Sequence, residues 1–575
     1  MTQTGQETIS VVLTGSGGAG VMTAGQTLLD AAASLGLYGL MTRSTGPQIR
    51  GGEAAALLRF GRRPVLSHGD RFDLLVALDF ENISRFGAEI PLGASSVVIA
   101  DPAAGDPPEF VVASGARIVH VELAKLAKTI PGGRISMVAL GALAQMIGLP
   151  ESAIVGAVAA SVGKKKPDAI VTSEKAVALG AAAAATLTPG ARIAAPDRLD
   201  SERWSITGNE ATGYGAIKGG IRFVAGYPIT PATEILEWMA PTLRQCGGVL
   251  VQAEDELASI NMIIGSSFGG APSLTATAGP GLSLMIESLG LAVASETPLV
   301  VVDVMRSGPS TGIATKSEQS DLNIAVNGLH GDAPHVVVAP TDVSDCLLTA
   351  QWATHLAESL QTPVIMLSDQ SIGQARAIID RPEDVAFTAT RDIWTGGESP
   401  YLRYRLTDSG VSAMAIPGTP GGQHTADGLT HNERGTPSSQ AHDHVAQLDK
   451  RQRKLENFDY SDHWAEIDGD GEIAVVTWGS STAPIREAIA AARDRGAKIK
   501  LIALRLIAPA QPQKLAAALA GVKRVLVIEQ SHSGQFWRYL RAHYDLPGEV
   551  TPIFRSGPLP FRPGEIGGYL AHGGL

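Results

Sequence analysis

Four places near the middle of the chain carry groups that could act on a ligand: Thr230, Glu256, the turn from Gly279 to Gly281, and Arg306. They offer a hydroxyl, a carboxylate, close access to backbone, and a guanidinium suited to a two-pronged ion pair with an anion. Each falls where a strand-like stretch ends. In parallel α/β sheets ligands bind beyond the carboxyl ends of the strands, so four such groups together say more than any one of them. The stretch "AGYPITPATEILEWM" from 225 sets two prolines three positions apart around Thr230. Pro228 keeps the approach extended, Thr230 fits a helix cap, and Pro231 fits the first helical position. A plain strand-to-helix corner would use the same residues.

A second group lies near the start. Gly15, Gly17 and Gly20 match G-x-G-x-x-G between a strand and a helix, a pattern that seats a pyrophosphate on a helix N-terminus. The acidic partner expected about 20 residues further on is missing, because the next strand ends at Arg43 and the first acid downstream is Glu53. NAD is disfavoured. The loop "RSTGPQIRGGEAAALLRF" brings Arg43 and Arg50 among glycines, a composition suited to phosphate oxygens, to a subunit contact, or to a purely structural loop.

Other features carry less chemistry. Cys246 and Cys346, 100 residues apart, form neither a disulfide framework nor a four-thiolate set, and both read as packed core thiols. His424, His431, His442 and His444 match no metal-ligand spacing, so no metal site is assigned. A lone G-D-G at Gly469 to Gly471 precedes a strand, has no asparagine after it, and reads as a turn.

The elements that must position these groups are α/β throughout. The 575 residues suggest three or four domains, and 44% apolar content with 65 glycines describes a globular chain with a sizeable core. A net charge of −11 argues against a general nucleic-acid or anionic-membrane surface. No apolar run is long enough to span a bilayer and the start "MTQTGQETIS" lacks a signal-peptide pattern, so a cytoplasmic location is expected. Strand and helix alternate from residue 9, and "TPGARIAAPDRLDSERWS" at 188–205 reads as a linker. A second α/β stretch follows. Residues 391–460, rich in Gly, Pro, Ser and His, read as a solvated connector ending in the charged helix "QLDKRQRKLENF". A third α/β unit closes the chain.

The motifs "GYPITP", "EDELASINMIIG", "TAGPG" and "RSGPSTGIATKSEQSDL" closely resemble the α subunit of 2-oxoacid:ferredoxin oxidoreductases, with the γ domain fused in front, over nearly the whole chain. The likeness is greatest to α subunits that take 2-oxoglutarate. The connector is longer than in that family, and "GIAT" stands where the family often has a proline. The resemblance implies a γ domain of Rossmann-like α/β type at 1–195, a thiamine pyrimidine-binding domain at 196–390, the connector at 391–460, and a transketolase C-terminal-like domain at 461–575.

It further implies thiamine diphosphate shared with a β subunit that brings the diphosphate site, Mg²⁺ and a [4Fe-4S] cluster, with coenzyme A as co-substrate and ferredoxin as electron acceptor. An (αβ)₂ assembly is expected, with no nucleic-acid or membrane partner. Glu256 would bond the pyrimidine N1′ and so assist proton removal from the thiazolium. Tyr227, Pro228, Ile229, Gly279 and Gly281 would shape the cofactor pocket. Thr230, Arg306, Thr315 and Lys316 would face the substrate, with Thr230 and Arg306 counted as catalytic. Gly15, Gly17, Gly20, Arg43 and Arg50 would serve coenzyme A or domain docking. Pyruvate and branched-chain 2-oxoacids share the reacting end of 2-oxoglutarate, and a non-redox thiamine-dependent decarboxylase or synthase would share the fold.

Overall fold

A computed structural model describes residues 6–16, 18–46, 52–162, 167–194, 202–397 and 399–571. The chain divides into two compact units, Met1–Thr207 with Gln374–Glu383 and Phe561–Leu575, and Gly208–Gly373 with Asp384–Pro560. Strands are numbered along the whole chain.

The first unit holds one eight-stranded sheet. Its strands are β1 (Thr8–Gly15), β2 (Tyr38–Thr45), β3 (Ala54–Gly61), β4 (Leu74–Ala77), β5 (Val97–Ala100), β6 (Arg117–His120), β7 (Arg203–Thr207) and β14 (Arg376–Asp380). They lie in the order β6-β5-β4-β1-β3-β2-β14-β7. β1, β4, β5 and β6 are parallel, and β3 runs antiparallel to both β1 and β2. The expected strand–helix–strand alternation thus makes a parallel sheet in only one half. The connection from 46 to 53 is too short for a helical crossover, so β3 folds back on β2 and separates it from β1. Part of the stretch that composition marks as a linker is also strand: β7 joins the sheet through β14, which is antiparallel to it and to β2.

The second unit holds two sheets around one continuous apolar core. The larger comprises β8 (Phe223–Gly226), β9 (Val249–Gln252), β10 (Ser273–Thr277), β11 (Leu299–Met305), β12 (Val336–Val338) and β13 (Pro363–Asp369), with β18 (Leu506–Ala508) antiparallel at one edge. Its order is β18-β12-β13-β11-β10-β8-β9. The smaller comprises β15 (Ala465–Asp468), β16 (Ile473–Trp478), β17 (Ile499–Leu504), β19 (Arg524–Glu529) and β20 (Glu549–Phe554), in the order β15-β17-β16-β19-β20. β10, β11 and β13 read "SLTAT", "LVVVDVM" and "PVIMLSD" and are buried along their whole length, as strands covered by helices on both faces must be. Val301, Trp352, Trp464, Trp478 and Phe536 belong to the same core, so the two sheets are not separate bodies.

The connector is more buried than its composition suggests. Arg403, Tyr404 and His431 are buried, and the helix Ala441–Glu456 buries Lys450 and Lys454 instead of solvating them. The reason is Glu296: its carboxylate takes Lys450 Nζ at 2.5 and 2.7 Å and Lys454 Nζ at 3.1 Å. Burial alone would raise the Glu296 pKa, but Lys450, Lys454 and Arg403 reverse this and hold it well below the usual carboxylate range. Cys346 is buried as a core thiol should be, whereas Cys246 is exposed, contrary to expectation. It caps the C-terminal end of the helix Thr233–Gln245, which leads to the edge strand β9. Gly469–Gly471 lies in the turn between β15 and β16. Among the described residues no helix is long and apolar enough to cross a membrane, and no group of His, Cys, Asp or Glu could hold a metal ion.

Candidate active site

In the larger sheet of the second unit the chain goes from β8 to β9 on one side and then crosses to β10 on the other. This reversal opens a crevice beyond the carboxyl ends of β8 and β10, the place where open α/β sheets bind ligands. The segment leaving β8 is Tyr227-Pro228-Ile229-Thr230, with Tyr227 40% exposed and Thr230 half-buried. The Ile229 carbonyl accepts the amides of Ala232 at 2.8 Å and Thr233 at 3.0 Å, so a tight turn precedes the helix Thr233–Gln245. Thr230 is therefore not the helix cap and Pro231 not the first helical residue: the cap is Ala232, without a side-chain bond. The Thr230–Pro231 peptide is cis. Buried Asn209 braces this corner by donating to the Pro231 carbonyl at 3.0 Å and to Glu234 Oε2 at 3.2 Å.

Arg306 follows β11 directly and is 8% exposed. Its Nη1 donates to the Thr230 carbonyl at 2.7 Å, and its Nε has no partner. Behind it stand two carboxyl groups. Asp303 is fully buried in β11 with the Asp321 carboxyl as its hydrogen-bonding neighbour, and no N–H or hydroxyl donor reaches either Asp303 oxygen or Asp321 Oδ2. Burial pushes both upward. For Asp303 the neighbouring Asp321 adds to the rise; for Asp321 burial and Glu318 outweigh the pull of Arg306, raising it to about 6. Two carboxyl groups in such surroundings share a proton, which leaves the pair with one negative charge near Arg306. A scan for motif residues passes over Asp303 because it reads as one more position in an apolar strand, and only its charge within "LVVVDVM" marks it.

The glycine turn opens the helix Gly279–Ala294. A Cβ at Gly279 would lie 2.5 Å from Asp321 Oδ2, and one at Gly281 would lie 2.1 Å from Thr277 Oγ1 and 2.8 Å from Glu256 Oε1. Glycine is required at both by how closely these side chains approach the backbone. The structure thus links Thr230 to Arg306, and sets Glu256 against Gly281 and Asp321 against Gly279.

Glu256 does not sit at the end of a strand. β9 stops at Gln252, and Glu256 is the first residue of the helix Glu256–Phe268, 7% exposed, behind Asp255, whose Oδ1 caps the Ala258 amide at 2.7 Å. The acid that lies exposed just after β9 is Glu254, which opens the motif "EDELASINMIIG" but has no role in the reading of it. Thr315 and Lys316, both half-buried, lie on the segment 307–316, which folds back on itself through Ser307 N to Lys316 O at 2.9 Å and Ile313 N to Ser307 O at 3.0 Å. They lie on the loop that follows Arg306.

In the first unit, Gly15 ends β1 and Gly20 caps the helix Val21–Ser34, as G-x-G-x-x-G requires. The Ser16 amide and hydroxyl both donate to Asp79 Oδ2 at 2.8 Å, so these two donors are already committed to a carboxylate. Arg43 is exposed on β2, with Nε 3.3 Å from Gln374 Oε1. Gly17 and Arg50 lie outside the described residues.

Family models match along the chain in three segments: residues 10–183 match pyruvate ferredoxin/flavodoxin oxidoreductase, 214–450 its thiamine diphosphate-binding region, and 471–557 the pyruvate:ferredoxin oxidoreductase core domain II. The crevice described above falls wholly within 214–450. The 2-oxoglutarate synthase subunit KorA of Methanothermobacter marburgensis is 35% identical over 372 residues, covering 64% of this chain and 98% of that one. The α subunit of 2-oxoacid:ferredoxin oxidoreductase 2 of Aeropyrum pernix is 29% identical over 96% of this chain and 95% of its own length. The solved 2-oxoglutarate:ferredoxin oxidoreductase of Magnetococcus marinus superimposes with a TM-score of 0.91 at 35% identity, covering 99% of both chains. These matches together leave a single conclusion: the chain belongs to the 2-oxoacid:ferredoxin oxidoreductase family.

Proposed function

We propose that this chain is the α subunit, with fused γ domain, of a thiamine diphosphate-dependent enzyme that converts 2-oxoglutarate and coenzyme A to succinyl-CoA, CO₂ and reduced ferredoxin, reversibly. The observation that carries the reading is the likeness over 99% of both chains to the Magnetococcus marinus protein, whose structure has 2-oxoglutarate, coenzyme A and succinyl-CoA bound.

The crevice fits an aminopyrimidine ring. Tyr227, Pro228 and Ile229 supply a largely apolar wall at its mouth, and the turn Gly279–Gly281 lets Asp321 and Glu256 approach its backbone closely. When bound, thiamine diphosphate supplies the carbon nucleophile and the electron sink for decarboxylation. The chain's own residues bind and orient. Arg306, anchored on the Thr230 carbonyl, keeps its unpartnered Nε for the substrate carboxylate. The Thr230 hydroxyl stands on a corner braced by Asn209, where misplacement of about 1 Å can cost ~10²-fold in rate. Thr315 and Lys316 complete the anion-facing side, and Glu256 holds a proton at the pyrimidine ring nitrogen. Glu254 is a second reading for that last role, favoured by its exposure beside the crevice.

Two cysteines 100 residues apart cannot hold a [4Fe-4S] cluster, so the cluster falls to a β subunit. In this reading the same subunit brings the diphosphate site and Mg²⁺, and the two form an (αβ)₂ assembly in the cytoplasm. Gly15, Gly17, Gly20, Arg43 and Arg50 serve coenzyme A or docking of the γ domain. The test is reconstitution. The chain alone should be colourless and inactive. Assembled with a subunit carrying four cluster cysteines, it should be brown and reduce ferredoxin with 2-oxoglutarate and coenzyme A. Turnover with pyruvate or a branched-chain 2-oxoacid instead would change the substrate, and absence of an iron–sulfur signal would leave a non-redox decarboxylase or synthase.

A further inference from the structure

The smaller sheet of the second unit repeats the strand switch of the larger. Its chain goes from β16 to β17 on one side and then crosses to β19 on the other, which opens a second crevice beyond the ends of β16 and β19. This crevice is filled by Gln319, fully buried, from the segment that follows Arg306, Thr315 and Lys316. Gln319 Nε2 donates to the Trp478 carbonyl at the end of β16, at 2.9 Å. Its Oε1 accepts from Ser481 Oγ and from the Gln530 amide just after β19, both at 2.8 Å. Its backbone amide donates to the Gln530 carbonyl at 2.8 Å. The receiving surface is shaped for it: Gly479 adopts φ 59, and a Cβ there would lie 2.5 Å from Gln319 Nε2.

The residues around Gln319 are held from the same side. Glu318 Oε1 accepts the Gly557 amide at 3.1 Å, and Gln535 donates to the Ser320 carbonyl at 2.7 Å while accepting the Asn323 amide at 2.8 Å. By contrast, residues 308–313 are exposed. The loop is therefore fixed at its start by Arg306 on Thr230 and at its end by this dock; between them its own backbone bonds, Ser307 N to Lys316 O and Ile313 N to Ser307 O, and the Ser371 amide on Ser317 Oγ at 3.2 Å hold its base, while its tip is exposed.

We propose that Gln319 is a positioning residue: by occupying the crevice of the smaller sheet, it sets where the loop presents Thr315, Lys316 and Arg306 to the 2-oxoacid. The inference rests on the reading of those residues as substrate-facing, and the experiment separates the two. In the enzyme assembled with its partner subunit, Gln319→Ala should raise the KM for 2-oxoglutarate roughly tenfold, with a smaller change in kcat, and should speed amide hydrogen exchange across 307–316. Ser481→Ala, which deletes one bond with little change of volume, should move both readouts the same way by less, and carries the test with Gln535→Ala if Gln319→Ala does not fold. Unchanged exchange in the loop overturns the proposal. So does faster exchange with unchanged KM while Arg306→Ala raises KM in the same assay, an outcome that leaves the functional reading intact. If Arg306→Ala also leaves KM unchanged, the functional reading fails with it.

Discussion

At the end of β8 the chain leaves Tyr227 and Pro228 in solvent and Arg306 Nε without a partner; at the end of β16 the Trp478 carbonyl, Ser481 and Gln530 are all taken by one glutamine amide. The two crevices arise from the same topological reversal. Topology makes a concave place at a strand switch, but the chain's own side chains decide whether it is kept for a ligand or closed from within. What distinguishes them is the occupant: Gln319 is fully buried across the ends of β16 and β19, whereas the segment that leaves β8 stays exposed at Tyr227 and Pro228.

The comparison breaks first, and with the largest effect, at the carboxylates of the open crevice. Substituting the acid that faces the pyrimidine should cost at least ~10²-fold in turnover with the assembly intact. Glu256→Gln and Glu254→Gln measured side by side in single-turnover decarboxylation decide which one it is, and small equal losses would remove the open crevice from the chemistry. Arg306→Ala comes next. Loss of a charged hydrogen bond worth about 1.5–3 kcal/mol should raise the KM for the 2-oxoacid by about 10- to 100-fold, more than it lowers kcat.

A smaller effect concerns acidity. Asp321 is raised from 3.8 to about 6, so its protonated form favours the folded state. That contribution is fully present below 3.8 and is lost as pH rises through about 6. The Asp321→Asn variant should therefore lose less melting temperature than the parent between those pH values, and parallel pH profiles would show that the carboxyl pair does not share a proton. The smallest effect belongs to the filled crevice. Thr477→Val deletes the bond from Thr477 Oγ1 to the Ile528 carbonyl, 2.8 Å, and should cost about 1 kcal/mol in denaturant unfolding with KM unchanged. A change in KM would mean that Thr477 also helps set the loop that Gln319 docks.

The first unit shows the same limit of motif reading. Gly15 and Gly20 occupy the positions that a dinucleotide fingerprint requires, yet Asp79, 63 residues beyond Ser16, supplies an anion of the protein's own to the loop. Two of the four connector histidines behave likewise: His431 lies tilted against Tyr404 with ring centroids 3.9 Å apart and His424 packs edge-on to Tyr401, a role that spacing cannot reveal, whereas His442 and His444 are exposed.

The α/β class and the placing of Thr230, Gly279 and Arg306 just after strands were legible because each depends on local sequence. Alternating strand and helix periods, prolines that stiffen a corner, and glycines at a strand-to-helix turn act over a few residues. Only the tertiary structure decided that Thr230 is not a cap, that Glu256 lies inside a helix while Glu254 is exposed, that β7 and β14 extend the first sheet, and that Lys450 and Lys454 are buried on Glu296. It also decided that Gln319 closes a crevice 159 residues away in sequence, at Trp478. Each of these depends on which distant backbone or carboxylate lies within hydrogen-bond reach, and no local pattern records that distance.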